Sequence, residues 1–187
     1  MFNNIYSNLV KFACQKDCLI IIKSLVSKAK LSEVKQIWAL FKGDFIFLAM
    51  NQYSSIILQL LFKYFISNSL EKEKQSFWVE AKEHFLRLSC SNIGIYLMKT
   101  ILKELLKEQN MKMFPLIEKY FMELISNCYG ITLIKIMFIF LSPGNNISLT
   151  EDENFKAQLQ FQRNKIAAIV SSKFTSIIFN KYGHYGL

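Results

Sequence analysis

Few residues in this chain have types and spacing that could carry covalent chemistry. Cys14 and Cys18 stand four apart, which would put both thiols on one face of a helix, but no histidine or carboxylate joins them at ligand spacing. Cys90 and Cys128 are isolated, and no CxxC pair occurs, so without a secretory signal the four thiols read as reduced. His84 and His184 have no nucleophile motif beside them, and Glu151 and Glu153 lie in polar sequence where nothing would perturb their acidity. There is no phosphate-cradling glycine loop, no zincin motif and no nucleophile elbow. The pattern points away from an enzyme, a metal site and an organic cofactor.

What remains is positive charge. The 187 residues carry a formal charge of +9, and 52% of them are hydrophobic against 20% charged. Such a chain can bury a sizeable core and present a basic surface to an anionic partner. Met1 to Lys16 lacks a basic segment followed by a clean apolar run, so it does not read as a signal peptide. The longest uncharged stretch, Phe45 to Phe62, holds Asn51, Gln52, Ser54, Ser55 and Gln59, which would be costly in lipid. No membrane span is expected.

The elements that would position these charges follow from an internal repeat. With Tyr53 as an anchor, Asp17, Ile93, Tyr129 and Tyr182 fall in phase, at steps of 36, 40, 36 and 53 residues. Eight residues before the anchors stand Leu9, Phe45, Phe85, Phe121 and Phe174; five before stand Phe12, Leu48, Leu88, Leu124 and Ile177. Four after stand Ile21, Ile57, Leu97 and Leu133; eight after stand Leu25, Leu61, Ile101 and Met137. Trp38, Trp78 and Phe114 lie seven residues ahead of their phenylalanines. Offsets of three and four place each pair on one helix face. Each unit therefore reads as helix, turn at the anchor, helix, connector and a further helix, with one such helix opening near Ser32, Glu33 and Val34. One unit cannot bury both its faces, so neighbours must stack.

The expected architecture is an all-α, right-handed solenoid of about four and a half repeats. The units run over about 1–36, 37–76, 77–112, 113–141 and 159–187. The 53-residue step contains a polar loop insertion over 142–158, and the polar stretch Ser69 to Ser76 accounts for the 40-residue step. The chain opens inside a unit and stops one turn into a helix, so it is expected to be a fragment of a longer array.

The anchor segments resemble the PUF, or Pumilio-type, RNA-binding repeat, whose RNA-facing helix opens with a pattern like N/D-x-Y-G-x-x-V-x-Q. The counterparts are Asn51-Gln52-Tyr53-Ser54-Ser55-Ile56-Ile57-Leu58-Gln59, Asn127-Cys128-Tyr129-Gly130-Ile131-Thr132-Leu133-Ile134-Lys135 and Asn180-Lys181-Tyr182-Gly183-His184-Tyr185. Looser matches open at Lys16-Asp17-Cys18-Leu19 and at Asn92-Ile93-Gly94. The resemblance implies that two side chains per repeat meet a base edge and a third stacks on the base. The edge positions are then Leu19 with Lys23, Ser55 with Gln59, Ile95 with Lys99, Ile131 with Lys135, and His184; the stacking positions are Ile20, Ile56, Tyr96, Thr132 and Tyr185.

Ser55 with Gln59 is a hydrogen-bonding pair of the sort that suits adenine. Leu19, Ile95 and Ile131 can neither donate nor accept. Lysine at the third position in three repeats, Lys23, Lys99 and Lys135, suits phosphate oxygens better than base edges. This is similar to the nucleolar Puf-A branch, which implies ribosome assembly or rRNA processing and RNA binding of low sequence specificity. The expected partner is RNA, ribosomal or messenger, with DNA as an alternative, and pre-ribosomal or regulatory proteins beside it. The chain is expected to be a monomer in the nucleus or nucleolus, the cytoplasm being the alternative. The competing readings are a sequence-specific Pumilio-like regulator of messenger RNA and a protein-binding scaffold of HEAT or armadillo type.

Overall fold

The computed structural model describes residues 2–108, 111–142 and 153–179. Every regular element among them is a helix: α1 Phe2–Ala13, α2 Leu19–Lys28, α3 Leu31–Lys42, α4 Phe45–Ala49, α5 Ser54–Ser67 and α6 Glu71–Glu83, then α7 Phe85–Ser89, α8 Gly94–Lys107, α9 Phe114–Lys119, α10 Phe121–Ile125, α11 Ile131–Leu141 and α12 Glu153–Ile178. None of these is long and apolar enough to cross a membrane. The chain divides into two compact units, Met1–Glu104 and Leu105–Leu187.

The repeating element is a helix, a five-residue helix and a second long or medium helix: α3–α4–α5, α6–α7–α8 and α9–α10–α11. The periodic apolar positions explain it. Phe45, Phe85 and Phe121 open the three short helices and are buried, as are Leu48, Leu88 and Leu124 three residues on. Ile57, Leu97 and Leu133 are buried one turn into the long helices, followed by Leu61, Ile101 and Met137. Each buried side chain of this size contributes about 1.5–3 kcal/mol.

In the first unit, α2 packs on α5, and α5 packs on α4 and α6. Phe77, from α6, sits at the centre of an aromatic cluster. Its ring stacks on Trp38 at 4.9 Å and meets Phe62 at 5.0 Å and Phe45 edge-on at 5.2 Å. On the polar side, Lys35 and Lys42 of α3, two turns apart, pair with Glu73 and Glu80 of α6 at 3.1 and 3.9 Å. The start of α3 is fixed by Glu33, whose carboxylate accepts from the Lys30 amide at 2.7 Å, so the helix opens one residue before Ser32.

The 40-residue step has a different origin from the one expected. Ser69 to Ser76 is not an inserted loop, because Glu71 onward is the opening of α6; the additional length is a turn of helix in α5, which has 14 residues where α2 has 10. That turn closes when the Leu70 amide donates to the Phe65 carbonyl at 2.8 Å and the Ser69 amide to the Ile66 carbonyl at 3.1 Å. This places Ser69 in the left-handed region, at φ 53°.

In the second unit, α10 packs on α9 and α11, and α12 packs on α11. Pro115 lies in the first turn of α9, where its missing N–H costs nothing. The Arg163 Nε donates to the Leu141 carbonyl at the end of α11, and Lys165 pairs with Glu118 at 3.3 Å. Of the loop expected over 142–158, residues 143–152 lie outside the described residues. Residues 153–158 are helical, because Phe155 and Leu159, four apart, are both buried. The 26-residue α12 has no break before Phe174 of the kind that precedes Phe45 and Phe85, and Phe174 is 52% exposed rather than in the core. Ile177 is buried as expected. The anchor Tyr182 lies outside the described residues.

Candidate nucleic-acid interface

Three turns set the starts of α5, α8 and α11, and they are built alike. The Asn51 Oδ1 accepts from the amides of Tyr53 and Ser54 at 2.9 and 3.2 Å, and the Asn127 Oδ1 accepts from Tyr129 and Gly130 at 2.9 and 3.1 Å. In the repeat between them the Ser91 Oγ does the same for Ile93 and Gly94, at 3.2 Å each. Asn92, which opens the looser match in this repeat, stands one residue too late for that role; it lines the groove described below.

Each turn brings the helix start against the preceding short helix. A Cβ on Gly94 would lie 2.6 Å from the Leu88 carbonyl oxygen, and one on Gly130 would lie 2.7 Å from that of Leu124. Glycine allows this close approach. The equivalent residue in α5 is Ser54.

The exposed face of α5 and that of α8 match residue by residue. Ile56 and Tyr96 face solvent, while Ser55 and Ile95, one residue earlier, are buried. Between them runs an open groove of about 460 Å³, lined by Gln52, Ser55, Ile56 and Gln59 from one repeat and Asn92, Ile93 and Tyr96 from the next. Tyr96 is 58% exposed, and the Lys99 ammonium lies 5.5 Å from its ring centroid. Gln59 is half-buried: its Nε2 donates to Ser55 Oγ at 3.4 Å, and its Oε1 accepts from the Thr100 hydroxyl at 3.0 Å. Ser55, only 2% exposed, forms the floor of the groove, with its Oγ against the Gln59 amide. The structure thus gathers Ser55, Gln59, Tyr96 and Lys99 into one place.

Lys23 does not join them as expected. Five residues separate α1 from α2, where four separate α4 from α5, so the register of α2 is shifted by one. Its buried residues are Ile22 and Val26, while Ile21 and Leu25 are 67% and 42% exposed. Upstream, α1 buries Leu9 and Ala13 and leaves Phe12 39% exposed. Lys23 therefore stands at the helix position of Leu58 and Met98. Ser24, which the sequence reading passed over, stands at that of Gln59 and Lys99, and Ile20 and Ile21 replace Leu19 and Ile20 in the edge and stacking places. In α11, Lys135 is exposed and Thr132 half-buried, at the positions matching Lys99 and Tyr96. His184 and Tyr185 lie outside the described residues.

All four cysteines are free, and the Cys14 thiol donates to Ser54 Oγ at 3.5 Å. Among the described residues no three histidine, cysteine or acidic side chains come together as metal ligands. Gln52 lines the groove and Thr100 bonds Gln59 without any mark in the repeat pattern. Only the adjacency of Thr100 to Lys99 could have drawn notice to it.

No protein-family model matches the chain, and no curated protein matches it in sequence. Solved structures do match its fold. A Puf4 mutant bound to the Cox17 RNA 3′ UTR recognition sequence superposes with a TM-score of 0.75 at 12% identity, over 98% of this chain and 55% of that one. The Puf3 RNA-binding domain bound to site A of the same RNA gives 0.69 at 15% identity, over 99% and 48%. PUF-8 in complex with PBE-RNA gives 0.58 at 13% identity, over 98% and 58%. The fold is an all-α solenoid of PUF-type repeats, and the chain spans about half the length of the structures it matches.

Proposed function

We propose that this chain binds single-stranded RNA across the exposed faces of its long repeat helices. The observation that carries the reading is the groove between α5 and α8. An exposed ring at Tyr96 can stack on a base, the Lys99 ammonium beside it can meet phosphate, and the Gln59 carboxamide can meet a base edge. The three neighbours named above are each solved with RNA, which supports the same reading.

Affinity in this proposal comes mainly from phosphate contacts, so sequence preference is low. Lys99 and Lys135 occupy the place where Gln59 stands in α5, and Ile95 and Ile131 offer base edges nothing. The resemblance to the Puf-A branch extends the proposal to a monomeric nucleolar protein acting on ribosomal RNA, with DNA as an alternative ligand. A second reading, a sequence-specific regulator of messenger RNA, is favoured by the ordered Gln59 pair alone.

Fluorescence anisotropy with several unrelated single-stranded RNAs across a salt series tests the proposal. Similar affinities, with a slope of roughly −0.7 per phosphate contact, are expected. A strong preference for one short RNA would move the reading to the sequence-specific regulator. Absence of binding by folded protein at low salt would overturn RNA binding and leave a protein-binding scaffold.

A further inference from the structure

We infer that Lys28, Lys63 and Lys103 form a second basic row, which holds the sugar–phosphate backbone of single-stranded RNA one helical turn away from the base groove. The inference rests on the RNA-binding reading and adds where on the face the backbone lies.

The three lysines occupy one place in three successive long helices. Each stands six residues after a buried repeat position: Lys28 after Ile22 in α2, Lys63 after Ile57 in α5 and Lys103 after Leu97 in α8. Lys63 is also four residues past Gln59 and seven past Ile56, and Lys103 is four past Lys99 and seven past Tyr96. Each therefore shares a helix face with the groove residues. Four residues advance a helix by about 6 Å, and packed helices lie about 8–10 Å apart, so the row crosses the helices beside the groove. All three lysines are exposed, and none has an ion-pair partner among the described residues.

The positive charge is sorted by helix. In the first unit, α2, α5 and α8 up to Glu104 carry five lysines against one glutamate, a net of +4, whereas α3 and α6 carry five lysines and five glutamates. Lys35 and Lys42 of α3 are matched by Glu73 and Glu80 of α6; the row has no such matching. Lysine in the last turn of a helix complements the helix dipole, which accounts for Lys28 in α2. It does not account for Lys63, the single charged residue of α5, or for Lys103, since each is followed by four more helical residues.

A strand of RNA has the matching layout. The ribose separates each phosphate from its base, so one strand can turn bases to Gln59 and Tyr96 and phosphates to the row. Ammonium groups on flexible stems suit phosphate oxygens. The matching place in α11 is held by Ile139, which limits the row to three members.

The test is an anisotropy titration of single-stranded RNA across a salt series with three proteins. Beside wild type stand a row variant, Lys28→Gln with Lys63→Gln and Lys103→Gln, and a control variant, Lys35→Gln with Lys42→Gln and Lys82→Gln. The control loses the same charge from α3 and α6. The row variant should have a log–log salt slope shallower by about 2, so that a fourfold rise in salt costs it about 20-fold less affinity than it costs wild type. The control should keep the wild-type slope. Lys63→Gln alone should shallow the slope by about 0.7, which keeps the test open if the triple variant is unstable. An unchanged slope in the row variant, or equal shallowing in both triple variants, overturns the inference and leaves RNA binding standing. An unchanged RNA slope with lost binding to phosphatidylserine vesicles would assign the row to a lipid surface instead. If folded wild type binds no RNA at low salt, the RNA reading fails and the inference fails with it.

Discussion

Ser54 donates its hydroxyl to the carbonyl oxygen of Leu48, six residues earlier, at 2.7 Å. Gly94 and Gly130 stand in the same relation to Leu88 and Leu124. One crowded junction is thus solved in two ways. Glycine removes the Cβ, and serine keeps it and adds a second bond to the Leu48 carbonyl, which also accepts from the Asn51 amide at 3.3 Å.

The junction makes Gly94 sensitive to small side chains. Gly94→Ala forces a Cβ against the Leu88 backbone, and it should destabilise the protein by about 1–3 kcal/mol. Gly94→Ser needs the same shift but can bond the Leu88 carbonyl as Ser54 bonds Leu48, so its cost should be smaller by about 1 kcal/mol. Urea denaturation of the two variants compares them directly; equal losses would mean that the hydroxyl does not find the carbonyl.

Phe77 joins α6 to α3, α4 and α5 through rings on all sides. Phe77→Ala should cost about 3–5 kcal/mol, read as a fall in the denaturation midpoint. A loss under 1 kcal/mol would show that the cluster collapses onto the space.

Ser69 pays backbone strain for closing the end of α5, since its φ of 53° suits glycine better. Ser69→Gly should therefore raise stability by about 1 kcal/mol, measured as an upward shift in thermal midpoint. A downward shift would place the value of the position in the serine side chain.

The ion pairs between α3 and α6 should matter little. Lys35 and Lys42 are nearly half exposed, and Lys42→Ala should change stability by less than about 1 kcal/mol, with the difference shrinking in high salt.

On the proposed RNA face, Tyr96→Ala and Lys99→Ala should fail differently. Loss of the ring should weaken RNA by about 1–3 kcal/mol at every salt concentration. Loss of the ammonium should reduce the salt slope by about 0.7 and weaken all RNAs alike. Anisotropy across a salt series separates the two, and identical slopes for wild type and Lys99→Ala would remove Lys99 from the phosphate path.

Local pattern alone determined the helical class, the period and most of the core. Trp38, Trp78 and Phe114, with the phenylalanines at 45, 85 and 121, are buried where their spacing put them, because burial on a helix follows the 3.6-residue turn. Where the chain adds a residue in a turn, that logic loses phase. The five-residue connection before α2 moved Lys23 off the line of Lys99, and an unbroken α12 left Phe174 outside the core. Turn length depends on how successive helices pack, which no window of a few residues records.

The candidate site divides the same way. Ser55, Gln59, Tyr96 and Lys99 were legible because each holds a fixed place after its anchor. Thr100 was not, since its partner lies 41 residues away and meets it only when α5 and α8 pack. The burial of Ser55 was likewise decided by packing, which set its hydroxyl beneath the Gln59 amide. Sequence spacing determined which side chains share a helix face; only the packing of one repeat on the next decided which of them meet.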